Sequence, residues 1–339
     1  MIDTSNDDSS KTYLYMFRGT INVLSCVKAS NTCSSEGVLF GRIMNCLDKY
    51  DIKYSTNDLD FEKYDFNIFM SCYYTGSDIK CKLLDIIENS IVVKTKCIFY
   101  SYVCDFVPHI DHNKFNHSFP NKIVIGEIGQ QSQQYSKFGI LESEIKTLPL
   151  GIDVDLYKPV SYSKNNTVMI YIKEHSGFTF KIEQMQFLID LIPKIYTVKI
   201  YRYSLDNRSI KYDHREYMND IINTRFVLYY SPFETLGNSN IEFRVHDVPF
   251  FCLKLPSVKY YDENSGSGHD LNHEKVMHEE IMTKSGFICD NRWTPEEKIR
   301  QSFIKFMEHV DNGYFTPRKY IVQYLNISNQ VAKYLGKDD

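Results

Sequence analysis

Two glutamates in the second half of the chain lie in the stretch where we expect its chemistry to take place. Glu234 and Glu242, with seven residues between them, lie between the apolar runs 226–230 and 248–253. Apolar runs bounded by turn residues and separated by a helix-length segment predict the strand, loop, helix and strand of a parallel α/β sheet. Such sheets bind ligands at the carboxyl ends of their strands, where helix N-termini offer free N–H groups to phosphate. We expect a phosphorylated ligand to bind beside these carboxylates.

The residues around the two glutamates form a more specific pattern than the spacing alone. They form the pattern SPFETLG over residues 231–237, then Glu242, then the pair Val248-Pro249. This pattern resembles the donor-site signature of glycosyltransferase family 4, in which E-x7-E is closed by a short Val-Pro strand. An ordinary βαβ unit with two solvent-facing acids is the alternative explanation, since the chain contains 43 acidic residues.

The resemblance implies a retaining glycosyltransferase of the GT-B fold, an α/β architecture of two Rossmann-like domains with parallel sheets that face an interdomain cleft. It implies that Glu234 lies against the transferred sugar and that Glu242 accepts hydrogen bonds from the ribose hydroxyls of a nucleotide-sugar donor. It also implies that the backbone N–H groups of Gly237, Asn238 and Ser239 stabilise the leaving diphosphate, because such charge stabilisation dominates this chemistry. The donor is a substrate, so no cofactor is expected.

A second segment sets the expected domain boundary. Residues 144–159, EIKTLPLGIDVDLYKP, closely resemble the segment with which family 4 enzymes leave their first domain. We therefore expect an acceptor-side domain over residues 1–150 and a donor-binding domain over residues 151–315. By resemblance, the last segment, residues 316–339, is expected to be a helix that crosses back to the first domain.

Two further residues are candidates for donor binding by position. Gly37 follows a predicted first strand, residues 21–27, and a glycine between strand and helix lets phosphate approach the backbone. A tight turn needed only for packing is the alternative. Lys173 follows the predicted strand 167–172, where the family carries an Arg and then a Lys that reach the diphosphate. A lysine that is merely solvated is the alternative there.

Two patterns suggest metal binding and are set aside. Asp153-Val154-Asp155 matches the D-x-D of a different glycosyltransferase class, but it lies in the interdomain segment. His273-Glu274 and His278 resemble H-E-x-x-H, but an i, i+5 pair on a helix is about 140° apart and cannot share one zinc ion. We therefore expect no metal site and metal-independent transfer.

The composition of the chain limits which binding partners and which cellular compartment we expect. A net charge of −4 provides no overall basic field for nucleic acid. The first ten residues, MIDTSNDDSS, are acidic and polar, which predicts a frayed terminus and no secretory signal. No apolar stretch is long enough for a transmembrane helix, although a peripheral membrane contact stays open. Nine cysteines without a C-x-x-C motif indicate reduced thiols and a cytoplasmic protein. The acceptor, whether glycan, lipid or protein, is not indicated.

Departures from the family pattern keep a second hypothesis open. Thr235 replaces the Gly that usually follows the first Glu, and residues 244–247 replace small residues. The first domain offers Cys104-Asp105 where the family often has a His-Asp pair. The alternative function is a catalytically degenerate GT-B protein that binds or scaffolds. A nucleotide-sugar epimerase on the same fold is less favoured, because the two motifs together favour the transferases.

The remaining predicted elements follow from apolar runs and periodicity. The predicted strands are residues 65–72, 96–103, 121–125 and 197–203. The predicted helices are residues 38–47, 79–87, a polar helix ending near 138, 182–192, 214–222, 271–281, one after the capping box at 294–297, and 317–335. Residues 260–270 are predicted to be a loop.

Overall fold

A computed structural model describes residues 5–26, 35–71, 77–100, 111–126, 139–147, 151–161, 165–174, 182–204, 212–231, 238–254, 260–261, 268–269, 286–290 and 296–337. The chain divides into two compact units. The first unit consists of Met1–Asp153 and Leu325–Asp339, and the second unit is Val154–Tyr324. The boundary was expected at residue 150 and the return to the first domain at residue 316.

The first unit contains a parallel six-stranded sheet in the order β2-β1-β3-β4-β5-β6. Its strands are β1 Ile21–Ser25, β2 Tyr54–Thr56, β3 Phe66–Ser71, β4 Lys96–Tyr100, β5 Lys122–Gly126 and β6 Ile145–Thr147. Its helices are α1 Ser5–Met16, α2 Ser35–Lys49, α3 Asp78–Glu88, α4 His112–Ser118 and, after the second unit, α10 Ile327–Tyr334. Apolar residues fill the central strands because helices cover a parallel sheet on both faces.

Helices α3 and α4 cover one face of this sheet. Their buried side chains, with Phe69 and Phe99 of the strands, form one aromatic-rich core. Helix α2 contacts β3 and α10, and α10 also packs against α1. The core face of α2 consists of Leu39, Phe40, Ile43, Cys46 and Leu47. The sequence predicts an apolar face of Val38, Ile43, Met44 and Leu47; Ile43 and Leu47 are buried, whereas Val38 and Met44 are only half-buried.

Three elements of the first unit differ from the prediction. The predicted frayed terminus contains α1, whose Leu14 is fully buried against the unit. Helix α4 and strand β6 were not predicted, because both are short and their apolar residues are few. Asp111 starts α4 by accepting hydrogen bonds from Asn113 N and Lys114 N. The polar helix predicted to end near residue 138 lies outside the described residues.

The second unit contains a parallel five-stranded sheet in the order β13-β10-β9-β7-β8. Its strands are β7 Thr167–Glu174, β8 Thr197–Ser204, β9 Thr224–Ser231, β10 Phe250–Lys254 and β13 Gly286–Asp290, and β11 Tyr260–Tyr261 pairs with β12 Gly268–His269. The helices are α5 Ile182–Leu191, α6 His214–Ile221, α7 Asn238–Val245, α8 Glu296–Asp311 and α9 Pro317–Tyr324.

Side chains alternate along these strands and build two cores, one on each face of the sheet. On one face, Ile170 and Leu228 pack with α5 and α8. On the other face, Tyr171 and Tyr229 pack with residues of α6 and α7. The unit therefore has the three layers of a doubly wound α/β domain.

The predicted strand, helix and strand of the second unit are confirmed as β9, α7 and β10, and β9 pairs with β10 in parallel. The loop predicted between β9 and α7, residues 232–237, lies outside the described residues. Strand β13 was not predicted, and the predicted loop 260–270 contains β11 and β12. The predicted helix 271–281 lies outside the described residues. The predicted helix 317–335 is two helices, because Asn326 starts a new one by accepting a hydrogen bond from Ser328 N. Among the described helices, none is long and apolar enough to cross a membrane.

Candidate functional site

The carboxyl ends of β7 and β9 form the switch point of the second sheet. The chain leaves β7 for the edge strand β8 and then returns to β9 on the opposite side of β7. The helices that follow these two strands, α5 after β7 and α7 after β9, pack on opposite faces of the sheet, and this is the arrangement at which open α/β sheets bind their ligands. Lys173 lies at the end of β7, and the segment that carries the two glutamates follows β9.

Lys173 lies within β7, which continues two residues beyond the strand predicted over residues 167–172. It pairs with Tyr203 of β8 and is half-buried. Because side chains alternate, it shares a face of the sheet with Tyr171, the face covered by α6 and α7. Glu174 lies on the other face and accepts two hydrogen bonds from Arg202, at 2.7 and 2.9 Å. Lys173 therefore lies near the carboxyl end of β7, on the sheet face covered by α6 and by α7, the helix that contains Glu242.

Glu242 lies inside α7 and is only 4% exposed. Its Oε1 is 3.3 Å from Nε2 of His214, the first residue of α6. Asp213 fixes the start of α6 by accepting hydrogen bonds from the backbone N–H groups of Arg215 and Glu216. The carboxylate is therefore a buried group held between two helices, and not one of the solvent-facing acids of an ordinary βαβ unit.

A cluster of tyrosines surrounds this pair. Tyr171 stacks on Tyr229 with ring centroids 5.6 Å apart, and its hydroxyl lies 3.1 Å from the hydroxyl of Tyr212. Burial, and then the nearby Glu242 carboxylate, raise the pKa of Tyr217 well above its usual value. Tyr171 comes from β7, Tyr229 from β9 and Tyr217 from α6, and Tyr212 precedes α6, so no local sequence pattern predicts the cluster.

The N-terminus of α7 begins at Asn238. Asn238 is half-buried and Ser239 is 6% exposed. The first four N–H groups of a helix have no acceptor within the helix, and the helix dipole adds positive charge there, which suits an anion. Gly237 and Glu234, predicted to act with these residues, lie outside the described residues. The structure therefore brings Asn238 and Ser239 to the start of the helix that carries Glu242.

Gly37 does not occupy the predicted loop between strand and helix. Helix α2 begins at Ser35, so Gly37 lies in its first turn, where it is buried. Its φ is not positive, and it therefore does not provide the left-handed turn that only glycine adopts readily. A role of Gly37 in ligand binding would have to use the N-terminal N–H groups of α2, and this role stays a prediction.

The residues that depart from the family pattern anchor α7. Arg244 is fully buried, with its guanidinium 5.1 Å from the Phe250 ring centroid and 5.9 Å from that of Tyr320. Burial lowers the pKa of Arg244 to about 10, so it stays charged at neutral pH. Arg318 of α9 donates hydrogen bonds to the carbonyls of Val245 and Val154. The unusual residues after Glu242 thus fill the space between α7 and α9.

The first acid of the D-x-D sequence that was set aside as a metal site has a cation as its partner. Asp153 forms an ion pair with Lys49 in the first unit, and Asp155 belongs to the second unit. Within the described residues, no group of three His, Cys, Asp or Glu side chains could hold a metal ion. His273, Glu274 and His278 lie outside that part of the chain.

Comparisons with known proteins identify the architecture. No protein-family model and no curated protein matches the chain. HepE of Anabaena, in its complex with UDP and glucose, is 13% identical with a TM-score of 0.53, and the match covers 94% of this chain and 99% of HepE. The HepE complex with UDP-glucose is 12% identical with a TM-score of 0.51 and the same coverage. The apo lipopolysaccharide outer core galactosyltransferase WaaB is 10% identical with a TM-score of 0.50, and the match covers 94% of this chain and 99% of WaaB.

These neighbours are GT-B glycosyltransferases. At such low identity the likeness shows the fold alone. The chain has the GT-B fold with two Rossmann-like units, as the sequence predicted, and membership of family 4 stays a prediction.

Proposed function

We propose that the chain is a glycosyltransferase that moves a sugar from a nucleotide-sugar donor to an acceptor. The observation that supports this most is the buried carboxylate of Glu242, in the helix that follows β9 at the switch point of a GT-B fold. HepE has been solved with UDP and with UDP-glucose, so a uridine diphosphate sugar is the first donor to test.

The second unit holds the donor in this proposal. Glu242 accepts hydrogen bonds from the ribose hydroxyls. The backbone N–H groups of Gly237, Asn238 and Ser239, together with the ammonium of Lys173, stabilise the diphosphate as it leaves. A cation and helix N–H groups aimed at developing negative charge act without reorganisation during the reaction. The placement of Lys173 on the α6 and α7 face supports this role.

Glu234 lies against the transferred sugar and stabilises the positive charge that develops at its anomeric carbon. Transfer proceeds with retention of configuration and without a metal ion, as the resemblance to family 4 implies. The first unit, Met1–Asp153 with Leu325–Asp339, receives the acceptor, whose class is a glycan, a lipid or a protein.

Ligand-induced stabilisation tests the proposal. Purified protein is heated with uridine, adenosine and guanosine diphosphates and with their common sugar conjugates. A diphosphate at about 100 times its dissociation constant should raise the free energy of unfolding by about 2.7 kcal/mol. A nucleotide sugar that stabilises the protein should then be hydrolysed slowly or transferred to an acceptor panel. Stabilisation without any turnover would favour the degenerate binding protein, and no stabilisation by any of these ligands would overturn the proposal.

A further inference from the structure

His214 and Glu242 join two helices at the candidate donor site. His214 Nε2 lies 3.3 Å from Glu242 Oε1, and the two residues are 28 positions apart in the chain. The histidine side chain is 44% exposed, whereas that of Glu242 is 6% exposed. The imidazole therefore lies between solvent and a carboxylate that is almost completely buried.

The position of the imidazole is itself fixed. His214 is the first residue of α6, and the Asp213 side chain holds that helix start with hydrogen bonds of 2.8 and 3.0 Å to two backbone N–H groups. The ring also packs against Tyr217, with centroids 5.8 Å apart. An N–H donor held in this way restricts the rotamers of the carboxylate that it contacts, so less conformational freedom is lost when a ligand binds.

The Coulomb attraction between His214 and Glu242 adds little to folding. A half-exposed histidine gains only modest Coulomb energy from its partner, because water screens the interaction. Its main effect is on the orientation of the carboxylate, and a buried carboxylate needs such a donor.

We infer, on the basis of the proposed function, that His214 is a positioning residue for Glu242. It holds the Glu242 carboxylate in the orientation in which that group accepts hydrogen bonds from the ribose hydroxyls of the donor. His214 acts through Glu242 and makes no contact with the ribose. The preference of the protein for an intact ribose therefore depends on both residues as one unit.

Binding of UDP and of 2′,3′-dideoxyuridine diphosphate, measured by calorimetry on the full chain, tests this inference. The wild type should bind UDP about tenfold or more tightly than the dideoxy compound, the value expected for lost hydrogen bonds to a charged group. Glu242→Gln and His214→Phe should each reduce this preference to about threefold or less. The double variant should show no further loss, because coupled residues are not additive.

Two variants serve as controls. In His214→Gln the side-chain amide nitrogen takes the place of Nε2, so the preference for UDP should stay within about twofold of the wild type. Arg215→Ala removes an exposed cation from the same turn of α6 and should leave the preference unchanged. Glu242→Gln, His214→Gln and Arg215→Ala should melt close to the wild type. His214→Phe removes a donor from a buried carboxylate and should melt at a lower temperature, and His214→Gln keeps the test valid even where His214→Phe unfolds.

The outcomes separate this inference from the proposed function. A wild type that binds neither compound overturns both. If Glu242→Gln loses the preference while His214→Phe keeps it, the donor site stands and the positioning role is wrong. If His214→Phe loses the preference and Glu242→Gln keeps it, His214 contacts the ribose directly, and the positioning role is again wrong.

Discussion

The Lys49 ammonium lies 3.0 and 3.1 Å from the two carboxylate oxygens of Asp153. Asp153 is the first acid of the Asp153-Val154-Asp155 sequence and is only 7% exposed. Lys49 contacts both oxygens and balances the negative charge of the carboxylate, so a divalent metal ion would have to displace this lysine to bind Asp153. The ion pair therefore supports a structural role for Asp153 in the first unit.

Removing the charge of Asp153 should lower stability and leave donor binding intact. For Asp153→Asn we expect a loss of about 1–2 kcal/mol in the free energy of unfolding, because Lys49 is partly exposed and the pair is partly screened. Lys49→Gln should cost a similar amount, and the double variant less than the sum of the two. Binding of UDP should be the same with and without a chelator. Loss of binding on chelation, restored by manganese, would contradict the structural role and restore the D-x-D hypothesis.

Gly151 is needed for close packing in the segment that resembles the interdomain motif. A Cβ at this position would lie 2.2 Å from Gln330 Oε1 and 2.9 Å from Ile327 Cδ1. Gln330 is 2% exposed and has little room to move. Gly151→Ala should therefore destabilise the protein by about 1–3 kcal/mol in denaturant unfolding.

The neighbours of Gly151 give the control. Gln330→Ala removes the nearer obstacle, so Gly151→Ala should cost less in that background than in the wild type. Equal costs in both backgrounds would show that the contact with Gln330 does not explain the glycine.

Local sequence patterns were sufficient to predict the central secondary-structure elements of the second unit. Strand β9, helix α7 and strand β10 were predicted from apolar runs, turn residues and the spacing of the glutamates. Each of these signals comes from neighbouring residues, and covered parallel strands show them strongly because both faces are buried. The GT-B fold followed from the resemblance of two short motifs and did not depend on any long-range contact.

The parts that were not predicted depend on residues far apart in the chain. Nothing near Glu242 indicates that His214 is its partner, because the contact forms only when α6 and α7 pack on the same face. Helix α1 was missed because its polar sequence is stabilised by packing against the C-terminal α10. Gly37 was placed between strand and helix because the helix was predicted to begin where its apolar residues begin, at Val38, whereas α2 begins three residues earlier, at Ser35.

His246 should make stability depend on pH. It is 5% exposed, and its Nδ1 lies 2.9 Å from the carbonyl oxygen of Lys158. Because a carbonyl only accepts, Nδ1 donates, and Nε2 has no hydrogen-bond partner among the described residues. Burial lowers the pKa of His246, and the nearby Arg318 lowers it further.

Proton linkage determines whether stability rises or falls with pH. As pH falls below about 6.5, the ordinary pKa of histidine, the unfolded chain takes up the proton before the folded protein does, so stability decreases. The free energy of unfolding should therefore be lower at about pH 5.5 than at about pH 7.5. His246→Asn keeps an amide donor for Lys158 and should show a smaller decrease over this range. An equal decrease in the variant would assign the pH dependence to other groups.

Replacing the two glutamates should have different effects on donor affinity and on kcat, although their side chains are the same. In the proposed function Glu242 binds the ribose equally in the ground state and the transition state, so Glu242→Gln should weaken donor affinity by about 1.5–3 kcal/mol with little change in kcat. The same proposal assigns Glu234 to the sugar whose bond is breaking, so Glu234→Gln should lower kcat far more than donor affinity. Initial rates over a range of donor concentrations, with calorimetry for binding, measure both effects.

Both substitutions are nearly isosteric and should leave the melting temperature of the free protein almost unchanged. Glutamine at position 242 can still form a hydrogen bond with His214, which keeps the buried group satisfied. If both variants unfold and neither alters nucleotide binding, the acids are structural. The E-x7-E interpretation would then be wrong, because it requires each carboxylate to act on the donor and neither to hold the core.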